Sequence, residues 1–232
     1  MIIQIYNILR KEYEQFQEKI VSDRKDILDF HNHGNDNLII WFAGIDEPLM
    51  SDNLAKATQC DVLAISDRKN LWYMQGALPE HQSVNDCADW LTNMSANYKN
   101  KIFIGQSSGG YGALLFGQIC SADLIIAFSP QTMNVRTGQC DLIPRNEIIN
   151  VNNIYERESQ SCPIIINIGQ SESDHSDDFF WDDWRQINKF LDFPYVTLMV
   201  HPHNNHNTSG ILKRDNILYK LVDFLISAYT EK

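Results

Sequence analysis

The chain has 232 residues, 44% of them hydrophobic, and a formal net charge of -11 at pH 7. That length and apolar content suffice for a sizeable core, so a single α/β domain over 1–232 is expected. The negative balance argues against general attraction to phosphate backbones, and no apolar run approaches the length of a membrane span, so no nucleic-acid partner and no membrane span are expected.

Met1-Ile2-Ile3-Gln4-Ile5-Tyr6 is apolar but soon interrupted, is followed by Arg10-Lys11-Glu12, and lacks a basic n-region or a cleavage signal. Cys60, Cys87, Cys120, Cys140 and Cys162 are odd in number and scattered, with no CxxC pair. This usage predicts reduced, buried and inert thiols in a cytoplasmic protein.

In chain order, His31-Asn32-His33 reads as a polar surface turn. Residues 38–43 and Val62-Leu63-Ala64-Ile65 are short apolar runs, as expected of parallel strands covered on both faces. Val84, Cys87, Ala88, Leu91 and Met94 fall near one face of a helix over 84–98. A strand over 102–104 follows, then a glycine-rich turn and a helix beginning near Tyr111. Residues 124–128, 163–168 and 195–200 are further strands. Leu218, Leu221, Val222, Leu225 and Tyr229 lie at helical spacing, so 211–229 is expected as one helix covering the sheet. The alternation predicts a mostly parallel, doubly wound sheet flanked by helices, with functional loops at the carboxyl ends of its strands. The polar segment 129–161, with Pro130, Gly138 and Pro144, fits either a small cap or an irregular crossover.

Gly105-Gln106-Ser107-Ser108-Gly109-Gly110 sits between the strand and the helix, which places a G-x-S-x-G motif on a strand-to-helix turn. The flanking glycines permit a sharp fold, so the Ser107 hydroxyl projects while the helix N-terminus points free N–H groups nearby. A serine so exposed is still a poor nucleophile until a base removes its proton and an acid orients that base.

The acid is expected after a later strand and the base last. Ile168-Gly169 leads into Gln170-Ser171-Glu172-Ser173-Asp174-His175, and Asp174 is the first choice, with Glu172 the main competitor and Asp177 a weaker one. Asp178, Asp182 and Asp183 fit best as carboxylates that solvate a loop or bias a helix N-terminus. After the strand ending at Val200 comes His201-Pro202-His203-Asn204-Asn205-His206. His206 has the reach to meet Ser107, His203 is the alternative, and His201 reads as a wall or packing residue. The H-x-H-x-x-H spacing also permits a metal site, but the loop lacks a nearby carboxylate ligand. For the oxyanion, the Ser108 N–H is one donor, and a second is expected from Gly44 or, preferably, Ile45.

Gly105 to Gly110, the later Asp174 and the late His206 together resemble an α/β-hydrolase serine enzyme, a likeness that spans roughly residues 38–230. Ala43-Gly44-Ile45 stands where many such enzymes have a His-Gly-x turn, and Ala43 departs from that histidine. Within that superfamily, residues 105–113 followed by 122–132, ending Phe128-Ser129-Pro130-Gln131-Thr132, are similar to bacterial proteins associated with surface-polysaccharide assembly. Some relatives of that kind are capsule O-acetyltransferases.

The resemblance and the motifs imply a covalent acyl-Ser107 intermediate, discharged to water by an esterase or to a sugar hydroxyl by an O-acyltransferase. Hydrolysis needs no cofactor, and transfer would take acetyl-CoA as a candidate donor. Trp72-Tyr73-Met74, Phe179-Phe180-Trp181 and Trp184 could wall a sugar site or pack in the core. The competing class is a non-catalytic binding component of a polysaccharide-biosynthesis system. A lipid esterase is disfavoured by the polarity of 129–161.

Overall fold

The structure is a computed structural model that describes residues 27–132, 148–157, 162–170 and 182–230. Along β2 (Asn37–Phe42), Leu38, Ile40 and Phe42 join one apolar cluster, while Ile39 and Trp41 join a second cluster on the opposite face. An uninterrupted apolar run is therefore what a strand covered on both sides requires. The same division holds in β5 (Leu124–Phe128), where Ile125 and Ala127 face the first cluster and Leu124, Ile126 and Phe128 the second.

With β1 (Leu28–His31), β3 (Asp61–Ile65), β4 (Asn100–Gln106), β6 (Ile164–Gly169) and β7 (Val196–His201), these strands form a seven-stranded sheet in the order β1-β3-β2-β4-β5-β6-β7. Every pair is parallel except β1 with β3. The chain runs outward from β2 to β3 and then returns to place β4 on the other side of β2. The loops leaving β2 and β4 therefore diverge at their carboxyl ends, which opens the crevice where sheets of this kind hold their ligands.

The first cluster is covered by α2 (Val84–Ser95), α3 (Ser108–Ile119) and α4 (Val151–Arg157), and includes Ile187 of α5 (Asp183–Ile187) and Phe190 of the following 3-10 turn (Asn188–Asp192). The second is covered by α1 (Ser51–Thr58), α6 (Thr208–Arg214) and α7 (Leu218–Thr230). Ser83 caps α2 by accepting from the Asp86 N–H at 3.1 Å, and Val84, Cys87, Ala88 and Leu91 are its buried face.

Several features depart from the sequence reading, α4 among them, a helix within the segment read as a small cap or an irregular crossover. The strand β1 takes in His31, whose ring meets Asp29 at 3.1 Å, where a surface turn was expected. The helix α1 was not anticipated: it is short and buries only Leu54 and Ala55 among its apolar side chains. The helix expected over 211–229 is two helices. Ile217 N–H donates to the Leu212 carbonyl at 2.8 Å and Asn216 N–H to that of Lys213 at 3.1 Å, with Asn216 at φ 59°. This is a Schellman stop with asparagine in the left-handed position, and it lets α7 restart in a new direction.

Cys60, Cys87, Cys120 and Cys162 are buried, and burial pushes the Cys87 thiol up to about 12. Cys140 lies outside the described residues. Among the described residues no helix is long and apolar enough to cross a membrane.

Candidate active site

Ser107 occupies the turn between β4 and α3 with φ 57° and ψ -118°, a backbone conformation that costs energy for any residue with a side chain. The strain falls on the serine itself, while its flanking glycines serve close approach. A Cβ on Gly105 would lie 2.1 Å from the Gly109 carbonyl oxygen, and one on Gly109 would lie 2.1 Å from that of Phe42. Only with both side chains absent can the helix start this close to the strands beneath it. Ser107 N–H donates to the Phe128 carbonyl at 2.9 Å, and the Ser107 carbonyl accepts from Tyr111 N–H at 3.1 Å, so the elbow is fixed from both sides.

His206 stands in the loop between β7 and α6, and its Nε2 is 2.8 Å from Ser107 Oγ. Its Nδ1 is 2.6 Å from Oδ1 of Asp183, and both side chains are largely buried. Asp183 is the first residue of α5; the preceding Asp182 caps that helix by accepting from Arg185 N–H at 3.0 Å and pairs with the Arg185 guanidinium at 2.7 Å. Asp182 therefore serves the helix terminus and Asp183 turns to the imidazole. Asp174, Glu172 and Asp177 lie outside the described residues, and the carboxylate on His206 is Asp183, which the sequence reading had assigned to helix bias. The adjacent aspartates just before a helical segment were the available signal: one cap needs one carboxylate and leaves the other over.

The His206 loop is anchored from below. Gln106, 1% exposed, donates from Nε2 to the His206 carbonyl at 2.9 Å and accepts at Oε1 from Ser209 N–H at 2.9 Å. The middle residue of the G-x-S motif thus ties the elbow to the histidine loop, which the sequence reading did not anticipate. His201 Nε2 meets Asn167 Oδ1 at 3.0 Å, and the His201 and His203 rings stack with centroids 6.1 Å apart. Burial lowers the pKa of both, holding them toward the neutral form. His203 also receives Gln170 N–H on its carbonyl, so it packs against the end of β6 while His206 meets the serine. Among the described residues no three histidine, cysteine or carboxylate side chains converge as metal ligands.

On the other side of the crevice, the turn after β2 is closed by Glu47 N–H to the Gly44 carbonyl at 3.2 Å and by Gly44 N–H to Glu47 Oε2 at 3.0 Å. The Gly44 donor is thereby occupied. Burial pushes the Glu47 carboxyl above its ordinary value, opposed more weakly by the Gly44 N–H, His206 and Lys213. Tyr73, fully buried, supports the turn through its hydroxyl, which donates to the Ala43 carbonyl at 2.7 Å. Trp72 is equally buried and donates from Nε1 to Gln131 Oε1 at 3.0 Å. Trp72, Tyr73 and the buried Met74 are core, and the sugar-wall alternative for them is set aside. Trp184 packs partly buried against the first cluster, and residues 179–181 lie outside the described residues.

The strand order, the crossover pattern and the elbow define an α/β-hydrolase fold. Comparison with solved structures agrees. The chain is similar to Est1E from Butyrivibrio proteoclasticus, 13% identical with a TM-score of 0.58 over 88% of this chain and 93% of that one. It is also similar to the Pyrococcus furiosus esterase Pf2001, 16% identical with a TM-score of 0.59 over 86% of this chain and 84% of that one. A third likeness is to a chain of the Glycosylation Associate Protein (Gap123) complex from Streptococcus agalactiae, 13% identical with a TM-score of 0.59 over 86% of this chain. The matched region spans 44% of that longer chain. No protein-family model and no curated protein sequence matches the chain.

Proposed function

We propose that the chain is a serine-dependent acyl-ester hydrolase or acyltransferase that works through an acyl-Ser107 ester, on acetylated carbohydrate. The observation that carries this reading is the hydrogen-bonded line from Ser107 Oγ through the His206 ring to Asp183, at 2.8 and 2.6 Å. His206 Nε2 accepts the hydroxyl proton as Oγ attacks the acyl carbonyl, and Asp183 holds the Nδ1–H tautomer and stabilises the imidazolium. The tetrahedral oxyanion is met by the N–H groups of Ser108 and Ile45. Ile45 is the candidate in its turn because Gly44 N–H is engaged by Glu47. As the intermediate collapses, His206 returns its proton to the leaving group. The acceptor then attacks the acyl-serine carbonyl and gives its own proton to His206, and Ser107 is released. Water as acceptor makes the protein an esterase, and a sugar hydroxyl makes it an O-acyltransferase, with acetyl-CoA as a candidate donor. The likeness to a glycosylation-associated complex supports the carbohydrate assignment.

The test is intact-protein mass after exposure to an activated acetyl ester or to acetyl-CoA, with native protein and Ser107→Ala compared in water and with an acetyl-accepting glycan. A Ser107-dependent acetyl adduct is expected. Faster discharge by glycan makes the protein a transferase, and rapid discharge by water alone makes it an esterase. No adduct with any activated ester, in folded protein, overturns the reading in favour of a non-catalytic component of a polysaccharide-biosynthesis system.

A further inference from the structure

The stretch Phe128-Ser129-Pro130-Gln131-Thr132 carries no nucleophile, base or acid of the proposed reaction, yet it touches each of the three segments that do. At the nucleophile, the Phe128 carbonyl accepts from Ser107 N–H at 2.9 Å and Gln131 N–H donates to the Ser107 carbonyl at 3.3 Å, so the strained serine is bracketed by one segment. At the base, Ser129 Oγ and Thr208 Oγ1 are 2.8 Å apart, and Thr208 N–H donates to the His206 carbonyl at 2.9 Å. At the acid, Thr132 Oγ1 donates to the Gln186 carbonyl on α5, the helix that begins with Asp183.

These contacts are dry. Ser129, Thr208 and Gln186 are fully buried, and Gln131 and Thr132 are 3% and 2% exposed. Each hydroxyl and amide here would otherwise be left unsatisfied away from water, so the contacts hold their geometry rather than exchanging with solvent. The segment is itself braced by the Trp72 N–H on Gln131, by Asn152 Nδ2 on the Thr132 carbonyl at 3.4 Å, and by Pro130 against Gly110, where an added Cβ would lie 3.0 Å from the proline. Ser129 takes φ 40°, which turns the chain out of β5 and sends the next three residues across the elbow.

We propose that Ser129–Thr132 is a positioning element that holds Ser107, His206 and Asp183 in mutual register from a single four-residue segment. Its kinetic consequence rests on the acyl-Ser107 reading; its geometric consequence does not. Three side chains carried by three separate segments are set to one another only as well as those segments are, and a displacement of about 1 Å costs on the order of 100-fold in rate. Asp183 of α5 meets His206 Nδ1 at 2.6 Å, so a shift of α5 alters the imidazole's hydrogen bond directly.

The test uses Thr132→Val, which keeps the shape and removes the hydroxyl, Thr132→Ser, which restores it, and Ser129→Ala. Two readouts are taken: kcat and KM for an activated acetyl ester, and the strongly deshielded proton NMR resonance of the His206 Nδ1–H held by Asp183. Thr132→Val is expected to lower kcat by about 10-fold or more with KM within about twofold, and to weaken or broaden the resonance. Thr132→Ser should recover both, and Ser129→Ala should move both in the same direction as Thr132→Val. Native-like resonance and kcat in folded Thr132→Val and Ser129→Ala would overturn the inference. If Thr132→Val does not fold, Ser129→Ala decides. If native protein forms no Ser107 adduct, the acyl reading falls, and the resonance alone decides whether this segment sets the His206–Asp183 contact.

Discussion

Gln106 and His206 are joined by a carboxamide that donates to the His206 carbonyl while accepting from Ser209 N–H, both at 2.9 Å. The side chain is buried at the end of β4, one residue before Ser107, so the strand that leads into the Ser107 turn also sets the height of the His206 loop. Gln106→Leu would take the acceptor from the buried Ser209 N–H and leave the His206 carbonyl with Thr208 N–H as its remaining donor. A loss of about 1–3 kcal/mol in stability is expected from denaturant unfolding, with kcat down by about 10- to 100-fold. Gln106→Glu buries a carboxylate charge and sets an acceptor against the His206 carbonyl, so at neutral pH it should be at least as destabilised as the leucine variant. Native stability in Gln106→Leu would show that water replaces the carboxamide.

The role proposed for Asp183 is testable by charge removal. Asp183→Asn preserves shape but favours the wrong imidazole tautomer, and a loss of about 100- to 10,000-fold in the rate of Ser107 acylation is expected. Asp174→Asn is expected to stay within about threefold of native in the same stopped-time mass assay. The reverse ranking would return the role to Asp174.

Glu47 makes stability depend on pH. Burial raises its carboxyl above the ordinary 4.5, so the folded protein holds that proton more tightly than the unfolded chain does. Stability linked to this group is greatest below the unfolded value and declines as pH rises from there through the raised one. Glu47→Gln keeps an acceptor for Gly44 N–H and carries no charge to bury. The Tm of the variant minus that of native protein should therefore grow from pH ~4 to pH ~7. A difference that shrinks over that interval would contradict the burial assignment.

Gly109→Ala would place a methyl 2.1 Å from the Phe42 backbone carbonyl, and backbone on both sides leaves no flexible atom to yield. Destabilisation of about 3 kcal/mol or more is expected, measured by denaturant midpoint, together with loss of Ser107 reactivity because the elbow must shift. A soluble variant with native stability and native fluorophosphonate labelling would refute this account of the motif.

What was legible in the sequence was whatever depends on local composition and chain order. Six strands were readable because β2 to β7 form apolar runs that face two clusters at once, and Ser107 because its turn needs glycines at fixed offsets. His206 followed from its place after the last strand. The four-residue β1, which carries Asp29 and His31, lacked such a signature, and the Asn216 break lay inside an otherwise helical spacing. Only the tertiary structure decided which carboxylate meets the imidazole. Several acidic residues follow β6, and the choice among them is a matter of where α5 docks, not of residue type. Likewise Gln106, Ser129 and Thr132 are ordinary polar residues in sequence. They gain their roles because folding buries them at the meeting point of segments about 55 to 100 residues apart, where each hydrogen bond must be matched by a specific partner.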